Sequence, residues 1–143
     1  MKLIESYHSN VNGYTPFLIT EKWQIAQLNY NDVNRFFNVH RLDVHHYTDE
    51  SFILIKGTVV LIAAQIDVNG ITFDLSLLET GVVYNIPTNC WHNLMMSEDA
   101  EVIIVENAST HLSDFEYYNL DKLQEQQLNA EVKSLLKVHG KYE

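Results

Sequence analysis

Hydrophobic and polar residues alternate along most of the chain, and short turn signals interrupt the alternation. The segment 22–30 (KWQIAQLNY) has a period close to two, which is typical of a half-buried strand. The run 58–66 is apolar on both faces and rich in β-branched residues, so we expect it to be buried on both sides. Further strands are predicted at residues 38–46, 51–56, 71–78, 81–86, 91–96 and 101–107. Their spacing predicts an all-β sandwich or small barrel.

The chain also contains one hairpin signal and one helix signal. Asn69-Gly70 lies between two of the strands and predicts a type I′ turn, because both central residues of that turn need positive φ. From residue 119 onward the period becomes helical, and an apolar stripe predicts packing on the barrel or on a second subunit. Asn119 is predicted to cap the start of this helix and Gly140 its end. The stripe consists of Leu120, Leu123, Leu128, Val132, Leu135 and Leu136.

Composition narrows the class of protein. A chain of 143 residues with 46% hydrophobic and 20% charged residues is typical of one globular domain. The net charge of −10 argues against nucleic acid or an anionic membrane surface as the partner. The single Cys90 makes neither an internal disulfide nor a cysteine-rich zinc cluster, and no apolar run reaches the roughly 20 residues that a bilayer span needs. Residues 1–10 lack the apolar core of a secretory signal, so we expect a cytoplasmic protein.

The seven histidines are distributed unevenly. His40, His45 and His46 fall on one predicted strand, Glu50 follows shortly afterwards, and His92 lies on a later strand. Imidazoles and a carboxylate that converge from strands inside a fold are suitable ligands for a divalent metal ion. A single histidine on a strand is more often packed or solvated, and we assign His8, His111 and His139 to that class.

This arrangement resembles the two sequence motifs of the cupin superfamily. The first motif is His-x-His, three or four residues, Glu, six residues and Gly, and this chain has His45-His46, Glu50 and Gly57. In the second motif Gly81, Pro87 and His92 occur at the expected spacing, with Asn89 at a usual glycine and Met96 at a usual asparagine. The matched stretch is 38–107. The string formed by His45, Thr48, Asp49 and Glu50 is also similar to a pattern in small single-domain bacterial cupins of the uncharacterised cupin-2 type. This similarity favours His45 over His46 as the histidine of the first motif.

The resemblance implies a single cupin domain over residues 1–143. Its β-barrel, a double-stranded β-helix or jelly roll, would span about 15–108, and a C-terminal amphipathic α-helix would span about 119–139.

One imidazole of the first cupin motif is missing. If His46 is the second histidine of the motif, the first position falls on Val44, which cannot bind a metal. If His45 is the second, the first position falls on Asp43, which could. Successive strand residues face opposite sides, so His45 and His46 cannot both point inward without a bulge.

The resemblance further implies a divalent metal ion (Zn, Mn, Fe or Ni) and a small-molecule ligand inside the barrel. The implied metal ligands are His45 or His46, Glu50 and His92, which Asp43 or His40 could supplement. Glu50 is also the candidate catalytic base. The candidate pocket residues are Asp43, His40, Phe52, Tyr84 and Trp91.

Three functions are compatible with these residues. The first is a metal-dependent enzyme, such as an isomerase or a dioxygenase, that acts on a small polar molecule. The second is a non-catalytic cupin that binds a small, sugar-like ligand and has a degenerate metal site. The third is a structural protein, which is the least favoured because inward polar residues cost stability unless they are satisfied. The resemblance also implies a homodimer, with the N-terminal strands or the leucine-rich C-terminal helix as its contact.

Overall fold

Ten strands and two helices make up the computed structural model, which describes residues 1–142. The strands of the first half are β1 (Gly13–Ile19), β2 (Trp23–Asn29), β3 (Arg41–Val44), β4 (Glu50–Lys56) and β5 (Val59–Asp67). They are followed by β6 (Gly70–Leu77), β7 (Val83–Ile86), β8 (Trp91–Met96), β9 (Glu101–Asn107), α1 (Thr110–Ser113), β10 (Glu116–Asn119) and α2 (Lys122–Val138).

The strands form two five-stranded antiparallel sheets. Their orders are β1-β2-β9-β4-β7 and β10-β3-β8-β5-β6. The chain passes from one sheet to the other at most of its connections, which is the pattern of a jelly roll. The predicted all-β fold with a C-terminal helix is therefore confirmed.

Two hydrophobic cores form on the two faces of the second sheet. Strand β5 contributes to both, because Val59 and Leu61 pack in the barrel interior while Val60 and Ile62 face α2. All four side chains are at most 5% exposed, so the prediction that this strand is buried on both sides is confirmed. The barrel core lies between the sheets, and the second core anchors the helix.

The hairpin between β5 and β6 is confirmed, but its predicted turn type is wrong. Asp67 pairs with Gly70, so the central residues are Val68 and Asn69, and neither has a positive φ. The backbone N–H of Asn69 donates to Asp67 Oδ1 at 2.8 Å. This local hydrogen bond satisfies the turn without the left-handed conformation that a type I′ turn requires.

Helix α2 begins later than its sequence pattern indicated. Asn119 pairs with Arg41 as the last residue of β10, so the prediction that it caps the helix is wrong. Asp121 is the cap, because its side chain accepts from the Gln124 N–H while the Gln124 side chain accepts from the Asp121 N–H. Gly140 follows the helix with φ of 69°, as predicted. Neither helix within residues 1–142 is long and apolar enough to cross a membrane.

A tight approach at the first cupin motif generates a stability prediction. Gly57 has φ of 86°, and a Cβ added there would lie 2.5 Å from Ala100 Cα. Gly81 has nearly the same φ, 85°, with no atom within 4 Å of an added Cβ. Gly81→Ala therefore meets only backbone strain, about 1 kcal/mol, whereas Gly57→Ala also clashes and should lose about 2–4 kcal/mol. Urea unfolding of both variants measures the difference, and equal losses would contradict the role of this contact.

Candidate functional site

Three side chains from different strands converge at one end of the barrel interior. His45 directly follows β3, Glu50 begins β4, and His92 is the second residue of β8. Glu50 Oε2 lies 2.7 Å from His45 Nε2 and 2.8 Å from His92 Nε2. The side chains of His45, Glu50 and His92 are 12%, 9% and 5% exposed. One carboxylate oxygen thus lies between two imidazoles, almost out of contact with water.

Both imidazole rings are oriented by backbone carbonyl groups. His45 Nδ1 donates to the carbonyl of Asp114 at 2.6 Å, and His92 Nδ1 donates to the carbonyl of Cys90 at 3.0 Å. A carbonyl oxygen only accepts, so each Nδ1 holds a proton. In a neutral ring Nε2 would then direct a lone pair at Glu50. The cluster therefore needs a proton on each Nε2 or a cation among the three groups.

The electrostatics of the metal-free cluster follow from this geometry. Burial by itself would raise the pKa of Glu50, but the hydrogen bonds and charges of His45 and His92 outweigh it and lower the pKa to about 2. Burial would lower the pKa of His45, but the hydrogen bond and charge of Glu50 raise it to about 9. The same contact with Glu50 outweighs burial at His92 and raises its pKa.

These shifts stabilise the metal-free fold over a defined pH window. The pKa of His45 lies above its ordinary value of about 6.5, so its contribution is complete below that pH and is lost as the pH rises through about 9. The pKa of Glu50 is lowered, so its contribution is complete above the usual value of 4.5 and is lost as the pH falls towards about 2. The cluster stabilises most between about pH 4.5 and 6.5.

The three residues fit a divalent metal ion. Their ligand atoms all lie within 4.8 Å of one another. Two imidazole nitrogens and a carboxylate oxygen are donors that Zn²⁺, Mn²⁺, Fe²⁺ and Ni²⁺ accept in proteins. The carbonyl partners on Nδ1 fix the tautomer that leaves Nε2 free to ligate.

A cavity of about 560 Å³ lies next to this cluster. That volume suits a small molecule. Asp43 lines it, in register with His92 on the neighbouring strand. Asp43 Oδ1 is buried without a hydrogen-bond partner among the described residues, and burial raises the pKa of this carboxyl. A buried polar atom beside the cavity is thus left without a protein partner. Apolar side chains, Leu28, Phe52, Leu94 and Ile104, form part of the wall.

A second polar cluster lines the same cavity around Glu106. This residue pairs in register with Glu50 across strands β4 and β9. Glu106 Oε1 accepts from the Tyr14 hydroxyl at 2.5 Å and from Gln24 Nε2 at 3.0 Å. Burial, followed by the negative charge of Glu50, raises the pKa of Glu106. The cavity therefore holds two neighbouring carboxyl groups with opposite pKa shifts, a pattern that separates an ionised group from a proton carrier.

The structure resembles solved structures with very different sequences. No protein-family model and no curated protein matches the chain. A variant of Streptomyces PAC13 with uridine is 11% identical with a TM-score of 0.57, covering 86% of this chain and 91% of that chain. Hydroquinone 1,2-dioxygenase from Sphingomonas sp. TTNP3 with 4-hydroxybenzoate bound is 10% identical with a TM-score of 0.53, covering 68% of each chain.

CapF, a capsular polysaccharide assembling protein from Staphylococcus aureus, is 16% identical with a TM-score of 0.51, covering 80% of this chain and 34% of that chain. The chain has the cupin fold. The motif resemblance in the sequence had predicted this fold. At such low identities the likeness to solved cupins concerns the fold, and function has to be argued from the site.

The cupin barrel separates the two adjacent histidines. His45 points inward to Glu50, whereas His46 contacts Asn89 Oδ1 at 2.7 Å and Glu116 Oε2 at 2.8 Å outside the cavity. The side chain of His46 is 39% exposed. The structure therefore brings His45, and not His46, together with Glu50 and His92.

The predicted pocket residues divide into two groups. Phe52 and Asp43 line the cavity, as does His40, whose Nδ1 lies 2.8 Å from Glu125 Oε1 on α2. Trp91 lies elsewhere, in the core below α2 against Tyr118, because it precedes His92 and faces the opposite side of the sheet. Likewise Tyr84 packs against the barrel core, and its hydroxyl accepts from the backbone N–H of Glu79.

The cavity residues that were not identified from the sequence include Glu106, Tyr14 and His111. Glu106 occupies an inward position of β9 after Val102 and Ile104, so the alternation of that strand contained a signal. Tyr14 and His111 gave none, because they reach the cavity through contacts between distant parts of the chain. His111, which the sequence analysis assigned to the packed or solvated histidines, lies at the cavity wall with its Nδ1 3.0 Å from Gln24 Nε2.

The raised pKa of Glu106 generates a pH-dependent prediction. Its contribution to stability is present below the unfolded-state pKa of about 4.5 and is lost as the pH rises through its folded-state value. Glu106→Gln keeps an acceptor for Tyr14 and Gln24 but cannot ionise. The measured quantity is the melting temperature of the variant minus that of the chelator-treated wild type. We expect this difference to be several degrees larger at pH 8 than at pH 4.5.

The matched control is Glu98→Gln, which changes an exposed acid. Its melting temperature relative to wild type should vary little between the two pH values. If the melting temperature of Glu106→Gln differs from that of the wild type by the same amount at pH 4.5 and pH 8, ionisation of Glu106 does not destabilise the fold.

Proposed function

We propose that the protein binds one divalent metal ion through His45 Nε2, Glu50 and His92 Nε2, and a small polar molecule in the adjoining cavity. The observation that carries this proposal is the convergence of two carbonyl-oriented imidazoles on one carboxylate oxygen. Three protein ligands leave coordination positions open, which is typical of catalytic rather than structural metal sites. The Asp43 carboxyl at the cavity wall supports a polar occupant.

We further propose that the bound molecule is transformed by metal-dependent isomerase or dioxygenase chemistry. A metal ion at this position would polarise an oxygen of the substrate or activate O₂. Glu50 serves as a metal ligand, so the proton-transfer role falls to Glu106, whose raised pKa lets it hold and release a proton. Tyr14 donates to Glu106 and fixes its orientation. The apolar side chains Phe52 and Ile104 limit water at the reacting groups.

The structural neighbours support a small ligand. PAC13 is described as a nucleoside dehydratase and its structures contain uridine, and the dioxygenase contains 4-hydroxybenzoate. Both ligands are small ring compounds with hydroxyl groups. The cavity of about 560 Å³ has room for a molecule of that class.

Metal binding is tested with two matched histidine variants. Untagged, chelator-treated protein is titrated with Zn²⁺, Mn²⁺, Fe²⁺ or Ni²⁺ alone, and bound metal is measured by elemental analysis. We expect one ion per wild-type chain and an affinity at least a hundredfold lower for His92→Ala, which removes a ligand. His46→Ala removes a histidine outside the cavity and should bind like the wild type. Wild-type protein without stoichiometric metal, or equal loss in both variants, would contradict the site.

Metal binding should also release protons. At pH 7 two histidines with ordinary pKa values would together carry about 0.5 proton. His45, with a pKa of about 9, is almost fully protonated at pH 7, and the pKa of His92 is raised too. We therefore expect one to two protons released per ion and an affinity that increases from pH 6 to pH 9. Calorimetry in buffers of different ionisation enthalpy measures this number, and a release of about 0.5 proton or less would contradict the protonated cluster.

A second candidate function is a non-catalytic cupin that binds a sugar-like molecule without metal. The observation that favours it is that both contacts to Glu50 Oε2 have hydrogen-bond lengths, so two protons satisfy the cluster without an ion. Native mass spectrometry of protein purified without affinity tags distinguishes the two candidates. An intact organic ligand without metal supports the binding protein, whereas bound metal together with a transformed product supports the enzyme.

A further inference from the structure

One strongly basic side chain lies at the mouth of the cavity. We define the mouth by the lining residues that are exposed to solvent, which are Val33, His40, Arg41, Phe115 and Tyr117. Among the described lining residues, Arg41 is the one lysine or arginine. It begins β3, and strand residues alternate, so Arg41 lies on the cavity side with Asp43 while Leu42 packs below α2. A permanent positive charge thus lies on the strand that leads to His45.

The ring of Tyr117 holds the guanidinium group of Arg41. Arg41 Cζ lies 3.7 Å from the centroid of this ring, which is a stacking distance. Strand register explains the contact, because Tyr117 pairs with Asp43 across β10 and β3 and is therefore a diagonal neighbour of Arg41 on the same face. Stacking uses the flat face of a guanidinium and leaves the N–H groups at its edge free to donate.

Other polar side chains that line the cavity near Arg41 already have protein partners. Asn34 Nδ2 donates to Asn93 Oδ1 at 3.0 Å, and Asn93 Nδ2 donates to the backbone carbonyl of Arg41 at 2.8 Å. His40 Nδ1 lies 2.8 Å from Glu125 Oε1. These groups therefore stabilise the mouth itself.

The guanidinium of Arg41 has no such partner. Within residues 1–142 it makes no salt bridge and no hydrogen bond, including with Asp43 on the same strand. The second arginine of the chain, Arg35, does not line the cavity, and its Nη1 lies 4.0 Å from Asp32 Oδ1. A guanidinium has five N–H donors in a fixed fork that matches the two oxygens of a carboxylate or phosphate. Arg41 can direct these donors at a bound molecule.

The wall around this charge is largely apolar. At the mouth, the ring centroid of Phe115 lies 5.3 Å from that of Tyr117. Inside the barrel, Leu28, Phe52 and Leu94 line the cavity and are buried. A molecule that combines an anionic group with an apolar body can therefore contact the guanidinium and the wall together.

We propose that Arg41 binds a carboxylate or phosphate group of the small molecule in the cavity. The ligand is then an organic anion with an apolar body, and its charged end lies at the mouth. A chain of net charge −10 repels anions in general, so a site for one needs a local, unpaired cation. This inference rests on the proposed function, because it names the chemical class of the molecule in the same cavity.

The test measures anion binding to chelator-treated protein by calorimetry. The probes are benzoate, its uncharged isostere benzamide, and phenyl phosphate as the second source of an oxyanion. We expect the wild type to bind at least one of the two anions about tenfold more tightly than benzamide. Arg41→Gln should weaken binding of that anion about tenfold and leave benzamide within about twofold. The anion with the larger loss identifies carboxylate or phosphate as the preferred group.

Two further variants separate the fork from the charge. Arg41→Lys keeps the positive charge without the planar fork, so its affinity for the anion should lie between those of the wild type and Arg41→Gln. Arg35→Gln removes the same charge from the other arginine and should bind the anion like the wild type. Circular dichroism checks that each variant is folded.

Three results would overturn the inference. The first is a wild type that binds neither anion more tightly than benzamide. The second is an unchanged affinity in Arg41→Gln, and the third is an equal loss in Arg41→Gln and Arg35→Gln, which would indicate a general effect of charge. A separate zinc titration keeps the two proposals apart. Zinc binding without anion binding overturns this inference alone, whereas Arg41-dependent anion binding without zinc binding supports it and contradicts the metal centre.

Discussion

The site depends on one buried carboxylate. Glu50 lies between two imidazoles inside a barrel whose other inward residues are largely apolar. A buried charge without a partner costs several kcal/mol, so His45 and His92 must supply positive charge or share a cation with it. This requirement fixes the register of the three strands at that end of the barrel. A slip by one residue would turn Glu50 outward and leave both rings without a partner.

The orientation of His45 depends on a segment that follows the barrel strands. The backbone carbonyl of Asp114 accepts from His45 Nδ1. The side-chain carboxylate of Asp114 accepts from the backbone N–H groups of His46 and Tyr47 at 2.8 and 3.0 Å. One residue thus holds both the ring and the loop that carries it. Strand β10, which pairs with β3 directly after this contact, keeps the segment in place. The geometry of the candidate metal centre is therefore a property of the whole jelly roll and not of the motif alone.

The sequence predicted the fold well because its signals are local. Strands β8 and β9 have the predicted bounds, and the spacing of Glu50, Gly57 and His92 led to the cupin fold. The choice between His45 and His46 stayed open because β3 ends at residue 44, beyond which strand alternation no longer applies. Cavity residues that arrive from distant segments, such as Tyr14, have no local signature. Trp91 was a different case, since its position next to His92 already implied the opposite face.

The polar lining of the cavity favours a functional explanation over a structural one. Asp43 and Glu106 are carboxyl groups whose pKa values are raised by burial, so at neutral pH their ionised forms reduce stability. Apolar residues of similar size would pack the same volume at lower cost. Glu50 differs, because its charge is compensated by His45 and His92. A barrel that needed only to fold would gain nothing from two acids whose ionised forms burial disfavours beside a third whose charge is balanced, whereas a site that binds a cation and moves a proton uses both kinds.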